Sequence, residues 1–327
     1  MPLSYIIYIS EFDKNVGGVC AMHYLADCLH DLGVDEVYVT TSVTNPIWHA
    51  KKIDLDAPFF LQNKWYDRFY RFLSQVKRER IPRTFKRKIT RTLLRMFPKL
   101  LWQFFDTNKT VVIYPEATKG NPLKAKHVVR WILNTPGVCG GDGVFEKTDH
   151  IFLYHDFYKV NAEYQVQGIL TAIDLKTQLT KFVDKGLTDR KGGAFLVRKG
   201  FYKKLDQHPA DFVKADEILE GGTYDEMAQF FNRIETFISY DHMTFISIQA
   251  ALSGCKSIII PDADGEFSKE HLIKVNRING VAYGFEDQDW VEASKNNLRQ
   301  HLVDLNEKNM ETVRGFREYC NLKINKL

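Results

Sequence analysis

No stretch of this 327-residue chain approaches the roughly 20 consecutive apolar residues that a bilayer-spanning helix needs. The opening residues, MPLSYIIYISEF, lack the basic start and long apolar core of a secretory signal. Both absences predict a cytoplasmic protein. The five cysteines, Cys20, Cys28, Cys139, Cys255 and Cys320, include no CxxC pair. That excludes a disulfide framework or a zinc site read from spacing, and leaves small buried thiols in a reducing compartment. No GxGxxG fingerprint is present, which argues against an NAD-dependent dehydrogenase. Internal repeats, low-complexity tracts and long disordered tails are also missing.

What is present is an alternation of apolar runs and helical faces. The length and the 44% apolar content suit one large or two medium domains. Ser4–Ser10 reads as a buried strand, followed by a loop with Gly17 and Gly18. A helical face of Met22, Leu25, Ala26, Leu29 and Leu32 is closed by Gly33, and Glu36–Thr41 is the next strand. This is the opening of a parallel α/β sheet. The rhythm breaks over residues 60–105 and resumes with a strand at Thr110–Glu116. PLKAKHVVRWILN is read as a helix and His150–Tyr158 as a strand. Asn161–Arg190 has room for a helix and an interdomain connection.

A second series opens at GGAFLVRKG and continues with ADEILEGG as a strand. A helix around Glu226–Asn232, the strand TFISYD, a helix from Thr244 to Leu252 and the strand KSIIIP follow. Trp290 to about Leu322 is helical by pattern. The expectation is two Rossmann-like domains, 1–175 and 190–310, with parallel sheets facing across a cleft. Residues 60–105 form a basic helical insertion in the first domain, and 311–327 a last helix able to return to it. Ligands of such sheets bind outside the carboxyl ends of the strands. The loops that matter therefore follow Ile9, Tyr114, Leu153, Val197, Leu219 and Ser239.

Charge is unevenly spread. Lys64–Lys99 holds thirteen Lys or Arg against Asp67 and Glu79. That local balance of +11 stands in a chain of net +4, so the remainder carries −7. Interleaved Trp65, Phe69, Phe72, Leu93, Leu94, Phe97 and Trp102 favour an anionic membrane surface. A solvated helical face and a nucleic-acid site are the other two readings. No nucleic-acid motif accompanies the segment, and no nucleic-acid partner is expected.

Ile218–Gly254, ILEGGTYDEMAQFFNRIETFISYDHMTFISIQAALSG, resembles the donor-binding half of glycosyltransferases with the GT-B fold, above all the large retaining family. Asp241 falls on the first Glu of that family's Glu-x7-Glu pattern and Gln249 on the second. Tyr114–Gly137, YPEATKGNPLKAKHVVRWILNTPG, resembles a segment recurrent in bacterial capsule and lipopolysaccharide glycosyltransferases. The resemblance implies transfer of a sugar from a nucleotide-sugar donor to a growing surface glycan, lipid-linked or oligosaccharide. It implies a metal-independent and retaining reaction, without a cofactor, on the cytoplasmic face of the inner membrane. DAD at Asp262–Asp264 reads as a loop and not as a metal motif.

The residue roles that go with this are specific. Asp241 orients the donor sugar, and Arg198 and Lys199 stabilise the leaving diphosphate. His155 is a partner for a sugar hydroxyl. Gly221, Tyr240, His242, Met243, Thr244 and Gln249 bind the donor, with Gln249 on the ribose. Gly17, Gly18, Glu116, Gly120 and Asn121 bind the acceptor. A helix starting just after Asp241 would put Asp241 and Gln249 on one face and aim its dipole at the diphosphate. The plainer reading makes Asp241 an N-cap, Gln249 a solvent-facing side chain, Arg198 and Lys199 a solvated strand end, and His155 structural. The alternative function is a non-catalytic scaffold of the same fold in a polysaccharide assembly complex.

Overall fold

The computed structural model describes residues 2–10, 12–14, 16–40, 102–103, 105–242, 244–261, 268–275 and 278–324, apart from the side chains of Thr40, Lys199 and Glu220. The basic segment Lys64–Lys99, Met243 and the DAD sequence lie outside the described residues. The chain divides into two compact units, Met1–Asp174 with Glu307–Leu327, and Leu175–Asn306.

The first unit is built on a parallel sheet of six strands: β1 (Ser4–Tyr8), β2 (Val37–Thr40), β3 (Thr110–Pro115), β4 (His127–Ile132), β5 (His150–Leu153) and β6 (Val166–Ile169). Their spatial order is β2-β1-β3-β4-β5-β6. A parallel sheet needs both faces covered, so its central strands carry near-continuous apolar runs. All of β1, β3 and β4 is buried. Side chains alternate between the faces. Tyr5, Ile7, Val111, Ile113, Val129 and Trp131 meet Met22, Leu25 and Leu29 of helix α1 (Gly17–Asp31). Ile6, Tyr8, Val112, Tyr114 and Val128 form the other face's core with Phe105, Leu123 and Ala125.

The strand β4 corrects a helical expectation. HVVRWI is a β-branched run buried on both faces, and such a run carries no two-residue alternation to separate it from a buried helix. Its pairing to β3 and β5 on either side settles the conformation.

The second unit holds α2 (Leu175–Lys181), β7 (Gly193–Leu196), a 3-10 turn at Arg198–Gly200, β8 (Val213–Lys214), α3 (Asp216–Gly221), α4 (Tyr224–Arg233), β9 (Thr236–Ser239) and α5 (Ile246–Leu252). It continues with β10 (Lys256–Ile259), α6 (Lys269–Lys274), β11 (Ala282–Tyr283) and α7 (Gln288–Lys295). The strand order is β11-β10-β9-β7-β8, again with every pair parallel. ADEILEGG is the helix α3 and not a strand. Asp216 and Glu217 favour a helix start, and the Gly222 N–H closes it on the Ile218 carbonyl at 3.0 Å. Asp225-Glu226 opens α4 through a capping box, with Thr223 N–H donating to Glu226 Oε2 at 2.7 Å and Glu226 N–H to Thr223 Oγ1 at 3.3 Å.

The 27-residue helix α8 (Leu298–Ile324) begins in the second unit and ends in the first. Its Val313, Phe316, Cys320 and Ile324 join the core beside Tyr5 and Phe152. Tyr319 Oη meets His150 Nδ1 at 2.8 Å, and Arg317 Nη1 donates to the Leu32 carbonyl at 2.6 Å. Among the described residues no helix is long and apolar enough to cross a membrane.

One surface of α1 makes a pH prediction. Burial, then Asp174, then Asp31, push the Asp27 carboxyl up to about 8. A carboxyl with a raised folded pKa stabilises the fold below its unfolded pKa, and that contribution is lost as pH rises through the folded value. Between about pH 4 and 8 the native state holds a proton that the unfolded chain has released. Asp27→Asn should therefore gain stability over wild type as pH rises from 5 to 8, by up to about 1.4 kcal/mol per pH unit. Urea melts of both proteins at pH 5 and pH 8 measure this, and parallel pH dependences would refute it.

Candidate functional site

In each sheet the strand order reverses at one place, and there two neighbouring strands send their following chain in opposite directions. Crevices at such switch points, outside the carboxyl ends, are where open parallel sheets hold ligands. In the second unit the reversal lies between β7 and β9. The residues after them are Val197–Lys204 and Tyr240–Phe245, which contain most of the expected donor-side residues.

The first loop is held in an unusual shape. Arg198 is a non-glycine residue with φ of +38°, which costs a side chain about 1–3 kcal/mol. Asp216 at the start of α3 compensates: its carboxylate accepts the N–H of Val197 at 3.3 Å and of Arg198 at 3.1 Å. Gly200 then comes so close to Tyr240 that a Cβ would collide with the Tyr240 carbonyl. The two loops are therefore pressed together, and only glycine fits between them. Lys203 reaches across the same edge, its ammonium donating to the Ile260 carbonyl beyond β10 at 2.7 Å and lying 3.4 Å from His242 Nδ1.

The second loop is buried and polar. Asp241, His242 and Thr244 are all buried, Asp241 only 4% exposed. Ser239 Oγ donates to the Asp241 carbonyl at 2.7 Å, and the Ile246 N–H donates to Thr244 Oγ1 at 3.3 Å. Tyr240 is wholly buried in the core of this sheet, and its hydroxyl accepts the Gln207 N–H at 2.9 Å and meets His208 Nδ1 at 2.7 Å.

The helix after this loop differs from expectation. It starts at Ile246, so Asp241 lies outside it and does not cap it. The shared helical face expected for Asp241 and Gln249 therefore does not exist. Gln249 is buried and not solvent-facing: its Nε2 donates to Gln178 Oε1 of α2 at 2.7 Å. Gly221 is the last residue of α3, with open space where a Cβ would stand. The glycine that packing demands is the next one, Gly222, where a Cβ would lie 2.7 Å from the Ile218 carbonyl.

In the first unit the reversal lies between β1 and β3. Gly17 and Gly18 open α1, and Glu116 follows β3 directly. Glu116 is buried and accepts the Leu133 N–H at 2.9 Å. Burial raises its carboxyl pKa, and backbone N–H groups at Leu133, Glu116 and Asn134 work against that rise. A Cβ on Gly18 would rest on the Leu133 side chain at 3.6 Å, so Gly18, Leu133 and Glu116 are contiguous.

Gly120 and Asn121 are engaged differently. Gly120 takes a left-handed φ of +57°. Asn121 Oδ1 accepts from Tyr114 Oη at 3.0 Å and the Ala125 N–H at 2.9 Å, while Nδ2 donates to the Ala125 carbonyl at 2.8 Å. The whole turn is clamped by Arg130, which donates to the carbonyls of Thr118 and Gly120. His155 follows β5, two strands from β3, with its Nδ1 2.6 Å from Asp156 Oδ1 and its ring 4.5 Å from that of Phe157. The sheet order does not bring it to the β1/β3 crevice.

Sequence reasoning missed Lys203, Asp216 and Arg130. The signal for Lys203 was its place in the same basic stretch as Arg198. Asp216 carries none, because its role depends on the left-handed backbone at Arg198. Among the described residues no three His, Cys, Asp or Glu side chains cluster as a metal site would. The chain matches no protein-family model, and no curated protein matches it. The chemistry on offer at the switch point of the second unit is thus a buried acid, Asp241, on the loop after β9, beside the loop after β7 that carries Arg198 and Lys203 and is held by Asp216.

Proposed function

We propose that the protein is a glycosyltransferase of the GT-B fold, probing its donor with the second unit and its acceptor with the first. The reading is metal-independent transfer from a nucleotide sugar, with retention, to a bacterial surface glycan such as capsule, O-antigen or lipopolysaccharide. The observation that carries it is the β7/β9 switch point, where buried Asp241 stands beside the loop that supplies Arg198 and Lys203. Cations suit a leaving diphosphate, and a buried acid suits the hydroxyls of a sugar. The resemblance of Ile218–Gly254 and Tyr114–Gly137 to such enzymes supports the same reading. In this proposal Lys64–Lys99 meets the anionic inner membrane on its cytoplasmic face.

The test is binding of uridine, guanosine and adenosine diphosphates to wild type and to a variant carrying Arg198→Ala and Lys199→Ala. Charge-assisted hydrogen bonds contribute about 1.5–3 kcal/mol each. The Kd of the preferred diphosphate should rise at least about tenfold. Turnover of the matching nucleotide sugar should persist in EDTA. An unchanged Kd, or activity that needs added Mg2+, would count against the proposal.

Gln249 favours a second reading, the non-catalytic scaffold of a polysaccharide assembly complex. The position matching a carboxylate in the resembled pattern is an internal amide paired with Gln178. Diphosphate binding without turnover of any nucleotide sugar would select it.

A further inference from the structure

We infer that Asp216 is a positioning residue: its carboxylate holds the turn after β7 in the conformation from which Arg198 meets the donor's diphosphate. This role rests on the proposed transfer activity for its ligand, and on the shape of the turn for its residue.

Sheet register brings Asp216 to the turn. Lys214 of β8 stands opposite Phe195 of β7, and the Ala215 N–H carries the ladder on to the Phe195 carbonyl at 2.9 Å. Helix α3 starts at the next residue, so Asp216 arrives beside Val197 and Arg198 just as β7 ends. There the backbone takes a right-handed step at Val197, φ −100° and ψ −58°, and a left-handed one at Arg198. Successive residues of that kind turn their N–H groups to one side and form a cup for an anion. The Asp216 carboxylate fills the cup, with Oδ2 accepting from Val197 and Oδ1 from Arg198. Beyond it the Gly200 N–H donates to the Val197 carbonyl at 2.7 Å, which closes the turn.

The residue in the left-handed position is what carries the inference. Glycine would adopt that conformation without strain, whereas arginine at a φ of +38° is strained and needs its surroundings to hold it. A braced arginine at a strand's carboxyl end is explained if its side chain is wanted there. Coulomb's law alone gives the opposite expectation for Asp216. A carboxylate beside an anion site repels the anion, so removing it would tighten diphosphate binding. Positioning predicts weaker binding, and the sign of the change separates the two.

The experiment measures Kd for uridine, guanosine and adenosine diphosphates by calorimetry on the full chain. For the diphosphate that wild type binds best, Asp216→Ala should raise Kd about tenfold or more. Asp216→Asn keeps an acceptor oxygen without the charge and should recover part of that loss. In an Arg198→Ala chain, Asp216→Ala and Asp216→Asn should each change Kd by less than about twofold, because the side chain they act through is gone. Asp216→Ala should also lower the melting point, and lower it less in an Arg198→Gly chain, where the turn needs no brace. If Asp216→Ala does not fold, Asp216→Asn in the same two backgrounds carries the comparison. Tighter or unchanged binding in Asp216→Ala, an equal loss in the Arg198→Ala chain, or no recovery in Asp216→Asn would overturn the inference and leave the transfer reading standing. A wild type that binds none of the three diphosphates would overturn that reading, and this inference with it.

Discussion

Asp149→Ala is expected to destabilise the first unit by about 3–5 kcal/mol, a large share of the roughly 5–15 kcal/mol that holds a domain folded. Its partner Arg130 has no exposed surface, and Nε donates to Asp149 Oδ2 at 2.8 Å. The guanidinium also lies 4.9 Å from the Tyr114 ring centre and 5.6 Å from that of Phe145. Removing the carboxylate leaves a full positive charge buried among aromatic rings and two carbonyls. Arginine cannot escape by losing its proton. Replacing both partners, Arg130→Met with Asp149→Leu, removes the charge as well as its partner and should cost less than the single alanine change. Urea unfolding of the three variants against wild type decides the matter. A loss under about 1 kcal/mol for Asp149→Ala would show that water reaches the guanidinium.

Turnover in Asp241→Ala should fall by about 10²–10³-fold, the range found when one group aimed at the reacting centre is removed. Diphosphate affinity should stay within about twofold, because the cations assigned to the diphosphate are on the other loop. Asp241→Asn keeps shape and hydrogen bonding and should recover part of the loss. The backbone around position 241 is held by Ser239 Oγ on its carbonyl, a bond that none of these changes touches. Wild-type turnover in Asp241→Ala would remove this residue from the reaction. Loss of diphosphate binding together with turnover would move it from the sugar to the phosphates.

Much of the architecture was readable from apolar runs and turn residues. SYIIY, TFIS and KSII are strands as expected, and Gly33 closes α1 with a φ of +79°. The two misread elements failed for different reasons. HVVRWI contains an arginine that sequence reasoning sends to the surface, yet Asp149, nineteen residues later, is what allows it inside. ILEGG contains the apolar residues of a strand, and its acidic start, which favours a helix, lies just before them.

At the site, the loops after β7 and β9 do follow strands where the apolar runs placed them, since β-strand ends are visible in sequence. The detailed geometry was not. The helix starts at Ile246 and not just after Asp241, which dissolves the expected relation of Asp241 to Gln249. The amide partner Gln178 lies seventy-one residues away in sequence, in a stretch with no motif.

The path of α8 has a consequence for how the protein is made. The second unit is spliced into the first, since Leu175–Asn306 is flanked on both sides by residues of the first unit. The helix segment that completes the first core, with Val313, Phe316, Cys320 and Ile324, is synthesised only after the whole of the second unit. The strands of the first sheet, with α1 already on that face, must therefore wait for the rest of its cover while the inserted unit is synthesised. At about 5–20 residues per second the wait is on the order of ten seconds. Arrival of Val313–Ile324, and not the formation of any strand, sets the moment at which the core of the first unit is complete, and a chain stalled before Val313 would leave that part of the face open to chaperones and proteases.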